Sequence, residues 1–342
     1  MTSSLTLDAS RLTAAIDFIS GYAALKAGAT ASFVQGHLWA NTLGVTQCKI
    51  TDVTDHPSTT VVMPTLLRVS NGVDAITLKF SETALNVKGK GTAKMPISPI
   101  PHIHTKPPAD LARYKEMARS VFELTPAVTR MIRAYRSNNR TMAGVALLNG
   151  NLVATDAVAA VFVPQNLTTT SAYLPARLFD VDTEVTVYEQ ANNELAVIDE
   201  HGWYLGLRSA YDPHPVFGKV AKVYARAYEN LANMLTFWPA DLLEALKPWS
   251  AEDQALHVQA DPTGQAILSL KSAGSQVTLE IPCSATGTFE MTIPIAPLLK
   301  FMAFAPPGLA CTLGVDPTSP VALCLFEEEG LAHPALMLTR TL

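Results

Sequence analysis

The stretch Val61–Pro96, VVMPTLLRVSNGVDAITLKFSETALNVKGKGTAKMP, decides how the chain is read, because its pattern returns twice. It predicts a short strand, a helix opened by Pro64 with Leu66, Leu67 and Val69 on its apolar side, then a strand, a turn and a strand. Proline suits a first helical turn, where its missing N–H has no intrahelical partner to lose. Ser171–Arg208 repeats the order: SAYLPARLFDV, then TEVTVYEQ, then ELAVIDEHGWYLGLR. Phe289–Leu342 repeats it again with FEMTIPIAPLLKFMAFA, ACTLGV, PVALCLFEEEG and PALMLTRTL. Pro64, Pro175 and Pro294 mark equivalent points. A period of this length is a domain; solenoid units recur every ~20–50 residues.

Outward from these units, 342 residues allow two or three domains, and either number buries an ample core. With 48% hydrophobic and 16% charged residues the chain is globular, not disordered. No apolar run reaches the ~20 residues that span a bilayer, and the start MTSSLTLDASRLTAAIDFIS lacks a basic, cleavable leader, so the reading is cytoplasmic, with no membrane partner. Cys48, Cys283, Cys311 and Cys324 are scattered without a CxxC pair, as reduced core thiols would be. A formal net charge of −5 excludes a uniformly basic coat but leaves room for a local basic face.

Domain one, residues 1–106, opens with a helix capped by Asp8 or Ser10, whose Leu12, Ala15, Ile16 and Ile19 recur at helical spacing, with Gly21 as its stop. The segments ATASFVQG, HLWANTL and TQCKITDV follow as strands. PISPIPHIHTKPP is a proline-rich connector, and its His102 and His104 have no Cys or carboxylate companions to complete a metal site. Domain two, residues 107–218, contains TPAVTRMIRAYRSNNR, read as a helix capped at Thr125. Arg130, Arg133, Arg136 and Arg140 lie beside its apolar arc, with no acid between Thr125 and Arg140 to neutralise them. That predicts an anion-binding face, phosphate first among anions; the bland alternative is a solvated helix surface. A hairpin turns at Asn149-Gly150-Asn151 and leads to Ala154-Thr155-Asp156. Domain three, residues 219–342, begins its pattern with a strand at Asn233–Phe237 and a helix from Pro239; Tyr224–Leu231 has no counterpart in the other repeats.

No chemistry-bearing motif survives inspection. GKGTAK at 89–94 lacks the phosphate-loop spacing, there is no GxSxG, HExxH or GxGxxG, and Glu327–Glu329 reads as a solvated turn. The expectation is a protein that is not an enzyme and has no catalytic residues, metal or cofactor.

Three tandem helix–strands–helix–strands units resemble the bacterial-type sliding clamp, the DNA polymerase III beta subunit family. The specific matches are NNRTMAGVALL with LVATDAVAAVFV, similar to the family's arginine-containing hairpin and ATDGHRL segment, and DPTSPVALCLFEEEGLAHPALMLTRTL, similar to its closing strands. The chain departs from the family where Gly-His-Arg-Leu is replaced by Ala157, Val158, Ala159 and Ala160, and its tail lacks the family's proline. These departures mark a divergent branch, phage- or plasmid-encoded members being one source. The resemblance implies an α+β chain of three clamp (processivity-fold) domains, each with two helices packed on antiparallel sheets. Two copies would close into a homodimeric ring.

The function implied is a processivity factor that encircles double-stranded DNA without reading sequence. It would tether the replicative polymerase and meet the clamp loader through short peptides. The DNA-facing candidates are Arg68, Arg130, Arg133, Arg136, Lys247 and Lys300, on helices that begin near Asp8, Pro64, Thr125, Pro175, Pro239 and Pro294 and line one surface. Carried over by position, the client pocket takes Arg140, Ala143, Thr155, Ala157, Val158, Ala160, Pro320, Leu336, Leu338, Thr339 and Leu342. The ring contact falls near Ala75–Phe80 and Pro294–Ala303. Competing classes are a clamp-like recruiting module that does not encircle DNA and an enzyme whose site is assembled from scattered residues.

Overall fold

The computed structural model describes residues 3–22, 29–41, 44–98, 100, 109–138, 144–165, 171–191, 194–208, 215–247, 255–260, 264–272, 275–326, 328 and 332–340. The first repeat comprises β1 (Ser3–Asp8), α1 (Ala9–Tyr22), β2 (Thr30–Val34), β3 (His37–Asn41), β4 (Val45–Lys49), β5 (Thr59–Val62), α2 (Met63–Ser70), β6 (Ala75–Phe80), β7 (Ala84–Lys88) and β8 (Thr92–Pro96). After a connector helix α3 (Leu111–Glu116) come β9 (Ser120–Leu124), α4 (Pro126–Tyr135), β10 (Val145–Leu148), β11 (Asn151–Thr155), β12 (Ala159–Pro164) and β13 (Ser171–Leu174). A 3-10 turn at Ala176–Phe179 then leads to β14 (Val185–Glu189), β15 (Glu194–Asp199) and β16 (Tyr204–Arg208). The last part holds α5 (Pro215–Glu229), β17 (Asn233–Phe237), α6 (Pro239–Leu246), β18 (Ala255–Ala260), β19 (Gln265–Ser272), β20 (Ser275–Pro282) and a short β21 (Ser284–Ala285). It closes with β22 (Phe289–Pro294), α7 (Ile295–Met302), β23 (Cys311–Val315), β24 (Val321–Phe326) and β25 (Ala335–Thr339).

The pairing repeats as faithfully as the order. The first strand of each repeat pairs with the strand after its second helical element: β1 with β6, β9 with β14, β17 with β23. The second strand pairs with the strand just before the second helical element: β2 with β5, β10 with β13, β18 with β22. Each repeat thus makes two four-stranded antiparallel sheets. Two joints then fuse sheets across repeats, β4 to β16 and β12 to β25. The results are one eight-stranded sheet, β5-β2-β3-β4-β16-β15-β14-β9, and one nine-stranded sheet, β13-β10-β11-β12-β25-β24-β23-β17-β21. Among the described residues the sheets β1-β6-β7-β8 and β20-β19-β18-β22 stay four-stranded, so β8 and β20, the counterparts of the fused edges, have no outer neighbour there.

Contacts divide the chain into two compact units, Met1–Thr125 with Asp180–Ser209 and Pro126–Phe179 with Ala210–Leu342. The sequence division at 106 and 218 follows the repeats, whereas the units follow the fused sheets and part the second repeat between them. In the first unit α1 buries Leu12, Ala15, Ile16 and Ile19, the predicted face, together with Phe18 and Tyr22. Asp8 caps it, its Oδ1 accepting from the Arg11 N–H at 2.9 Å, and the helix runs one residue past Gly21. At the β4–β16 joint a Cβ on Gly44 would run into the Gly206 carbonyl oxygen, so the two backbones meet only because this position is glycine.

In the second unit the nine-stranded sheet is covered on both sides. Ala146, Val153, Ala160, Phe162, Leu323, Leu325, Ala335 and Met337 pack with Phe217 and Ala227 of α5. Strand side chains alternate between faces, so Leu336 and Leu338 point the other way, toward the side where α7 packs on β25 and α4 on β11 and β12. Phe162 stacks on Tyr224 with ring centroids 3.9 Å apart. Burying a phenylalanine such as Phe217 contributes about 2–3 kcal/mol. Cys311 and Cys324 sit reduced and fully buried in this sheet, as expected of core thiols.

Three expectations change. The helix expected at Pro175 is only the 3-10 turn: Val181 is β-branched and Asp180 and Asp182 would place negative charge at a helix C-terminus, where the dipole disfavours it. Tyr224–Leu231, which has no counterpart in the other repeats, largely belongs to α5, which extends back to Pro215. Strand β6, Ala75–Phe80, is not an available ring contact, since β1 and β7 already occupy both its edges. The His102–His104 pair lies outside the described residues.

Candidate functional site

Helix α4 forms because Met131, Ile132 and Tyr135 recur on one side, and it is pinned through the Tyr135 hydroxyl, which donates to the Pro297 carbonyl of α7. Its arginines then separate into two groups. Arg130 is exposed, its Nε donating to the Pro126 carbonyl one turn back at 3.0 Å. Arg133 is half-buried and donates from Nε to the Phe179 carbonyl at 3.0 Å. Arg136 lies beyond the end of α4 and donates from Nη1 to the Ala176 carbonyl at 2.6 Å. Terminal carbonyls of a short helical turn lack partners, and the guanidinium fork supplies donors to them. Two of the four predicted cations therefore also brace the turn that replaced a helix. Arg140 and Ala143 lie outside the described residues.

On α6 and α7, which pack together in the second unit, Lys247 and Lys300 are exposed at the C-terminal ends, where their charge complements the helix dipole. Arg68 does the same on α2 in the first unit. These helices also carry carboxylates, Asp17 on α1 and Asp241 and Glu244 on α6. On these candidate helices the basic residues sit at the ends and on α4, while α5 carries Lys219, Lys222 and Arg226 along its length.

The predicted client residues also split. The turn between β11 and β12 is built by its own side chains: Thr155 Oγ1 donates to the Ala159 carbonyl at 2.8 Å and accepts from the Ala157 N–H at 3.1 Å. Asp156 Oδ1 accepts from the N–H groups of Val158 and Ala159, both at 2.9 Å. Ala157 holds φ at +77°, a left-handed conformation that costs an alanine about 1–2 kcal/mol relative to glycine. Glycine is the residue the resembled motif has there, so the backbone shape persists where the side chain does not fit it.

Thr339 ties the tail to this turn, its N–H and Oγ1 both reaching the Val158 carbonyl at 3.1 and 3.0 Å. The Arg340 N–H donates to the Pro320 carbonyl at 2.8 Å, and its Nη1 donates to the carbonyls of Asp316 and Ser319. Ala157, Val158, Pro320 and Thr339 are consequently gathered at one exposed corner, with Val158 46% accessible.

Ala160, Leu336 and Leu338 are not at that surface. Each is 0% exposed, because β12 and β25 are interior strands covered on both faces. The even spacing of the two leucines marked a core face. Thr155 is buried too and acts by shaping the turn. Leu342 lies outside the described residues. Sequence reading missed α5, although Phe217, Val220, Tyr224 and Ala227 recur at helical spacing behind Pro215. Burial pushes the Tyr224 hydroxyl up to about 12, so it stays neutral against the sheet. Among the described residues no group of His, Cys, Asp and Glu could hold a metal, and no helix is long and apolar enough to cross a membrane.

Three tandem repeats, six four-stranded sheets, four of them fused in pairs, and paired helical elements define a clamp fold. No family model matches the sequence, and no curated protein does either. Among solved structures, the fold is that of DNA polymerase III beta-subunit sliding clamps, reached here at very low identity. The sliding clamp of Bacillus subtilis superposes with a TM-score of 0.74 at 9% identity over 99% of both chains. The beta subunit of Thermotoga maritima gives 0.71 at 13% identity over 100% of both. The Helicobacter pylori clamp, solved with a DNA ligase peptide, gives 0.72 at 12% identity over 99% of this chain and 100% of that one.

Proposed function

We propose that this chain is a DNA sliding clamp: two copies close into a ring around duplex DNA and tether a replicative polymerase and other clients. The observation that carries the reading is the pair of open edges. Within the chain, the last strand of one four-stranded sheet fuses to the last strand of another at β4–β16 and at β12–β25. Among the described residues, β8 and β20 are the two last strands with no neighbour on their outer edge. Pairing β20 of one copy with β8 of the next repeats the internal joint, and head-to-tail contacts of this kind close when the rotation permits.

The side chains suit that joint. On β8, Lys94 is exposed and Met95 buried; on β20, Glu280 is exposed and Ile281 buried. An antiparallel register keeping Met95 and Ile281 on the core side brings Lys94 and Glu280 to the same outer face. Light scattering should give twice 36.7 kDa for the wild type. Lys94→Glu should yield folded monomers, and adding Glu280→Lys should restore the dimer. A wild type that stays monomeric at micromolar concentration sinks the ring.

Arg130, Lys247, Lys300 and Arg68 supply the phosphate contacts, with Arg133 and Arg136 contributing whatever donors their carbonyl bonds leave over. Such contacts carry no sequence information, which is what sliding requires. The corner formed by Ala157, Val158, Pro320 and Thr339, with Leu342, Arg140 and Ala143 carried over by resemblance, receives client and loader peptides. The ligase peptide on the Helicobacter pylori clamp supports peptide capture as the mode. The work is topological, so no cofactor or catalytic group is required.

A further inference from the structure

The chain leaving α5 is stitched to the strand that leads toward the client corner. The Ala232 N–H donates to the Val315 carbonyl of β23 at 3.1 Å, and Leu231 lies so close to Gly314 that a Cβ there would meet Leu231 Cδ2 at 2.9 Å. Asp316 comes next along the chain. Its carboxyl is held below the usual carboxylate range first by the N–H and hydroxyl of Thr318, and then by the positive charges of Arg226, in the last turn of α5, and Arg340. Arg340 donates to the carbonyls of Asp316, Ser319 and Pro320 and follows Thr339, whose N–H reaches the Val158 carbonyl. These interactions link Arg226 to the corner of Val158, Pro320 and Thr339. Lys219, Lys222 and Arg226 recur at i, i+3 and i+7 and so share one side of α5. All three are exposed, and neither lysine makes an ion pair among the described residues. Asp156 and Asp316 are committed to N–H donors of their own turns, and Glu229 is the only carboxylate in α5.

We propose that Lys222 and Arg226 of α5 extend the client corner and select peptides that carry acidic residues beside their anchor; this rests on the reading of the corner as a peptide site. That reading fixes the kind of ligand, and the negative charges a peptide brings are the side chains of Asp and Glu. Lys222 and Arg226 are four residues apart, ~6 Å along the helix axis. Alternate side chains of an extended peptide recur every ~6.8 Å, so two acidic residues with one between them can meet both cations. The phosphates of DNA are the other polyanion in the account, and they belong to the opposite side of the sheet. Phe217 and Ala227 of α5 pack on the face formed by Ala146, Val153, Phe162 and Met337, whereas α4 and α7 pack on the other face. DNA held along α4 and α7 therefore leaves α5 to the ligand of the corner.

The test uses the full chain and, as probe, the DNA ligase peptide of the Helicobacter pylori complex, labelled with fluorescein. Glutamates or serines are added at its N-terminus in one pair of peptides and at its C-terminus in a second pair, and each is titrated by anisotropy. At one of the two ends the glutamate form should bind the wild type about fivefold more tightly than the serine form, with the gap closing in high salt. In the double variant Lys222→Gln with Arg226→Gln, the ratio between the two forms should fall to about one. Circular dichroism equal to wild type establishes that the variant is folded, and Lys222→Gln alone, at an exposed position without an ion pair, should lower the ratio without disturbing the neighbour of Asp316. Equal binding of both forms by the wild type at both ends, or a preference that survives in the double variant, overturns the proposal and leaves peptide capture standing. Binding of none of the peptides by the wild type tells against peptide capture at the corner and takes the proposal with it.

Discussion

At the scale of the residue, Asp199 shows how a fold position and a charge can be at odds. Its Oδ1 accepts from the N–H groups of His201 and Trp203 at 3.0 and 2.7 Å, shaping the turn from β15 to β16, yet the residue is only 7% exposed. Burial raises its pKa despite those two bonds, and Tyr22 and Cys48 are pushed up first by their own burial and then by the Asp199 charge. A carboxyl raised in the folded state contributes stability that is fully present below its unfolded value, about pH 4, and is lost as pH rises through the folded pKa. At neutral pH the ionised group is therefore a cost. Asp199→Asn keeps the acceptor and removes the charge, so urea unfolding should show a gain of about 1 kcal/mol at pH 7 and little at pH 3. An unchanged pH slope would contradict this assignment. None of this was legible in the sequence, because IDEHGWY names the turn but not its burial. The arginine row is a similar case: the absence of acids was readable, while the carbonyls that engage Arg133 and Arg136 belong to residues 46 and 40 positions away.

At the scale of the element, apolar period was a reliable guide wherever a helix packs on its own repeat. The α1 face and the openings of α2, α6 and α7 at or beside prolines follow directly from sequence. Period alone cannot say which of two covered faces a strand residue occupies, and Leu336 and Leu338, assigned to the pocket by resemblance, lie in the core. It also failed to flag α5, whose stretch combines a glycine, three cations and two prolines nearby in a manner typical of connectors. In the folded chain α5 covers a sheet face that would otherwise expose Phe162, Leu323 and Met337. Phe217→Ala should then lower the unfolding free energy by about 3–5 kcal/mol in urea titration. A loss under about 1 kcal/mol would mean that α5 is not integral to this core.

At the scale of the whole molecule, the three copies of one unit were visible from Val61–Pro96 outward, since order and turn chemistry are local. The edge joints were not, because strand pairing between repeats depends on register and on close approaches such as Gly44 at Gly206. The ring closure proposed for two copies would continue those joints. The central claim is topological, and it can be tested without a loader. Linear duplex DNA bearing biotin at both ends is incubated with the protein, the ends are blocked with streptavidin, and the sample is washed at high salt, where phosphate contacts weaken steeply. The account predicts that protein remains on end-blocked DNA and leaves DNA whose ends are free. Equal loss from both would contradict encirclement.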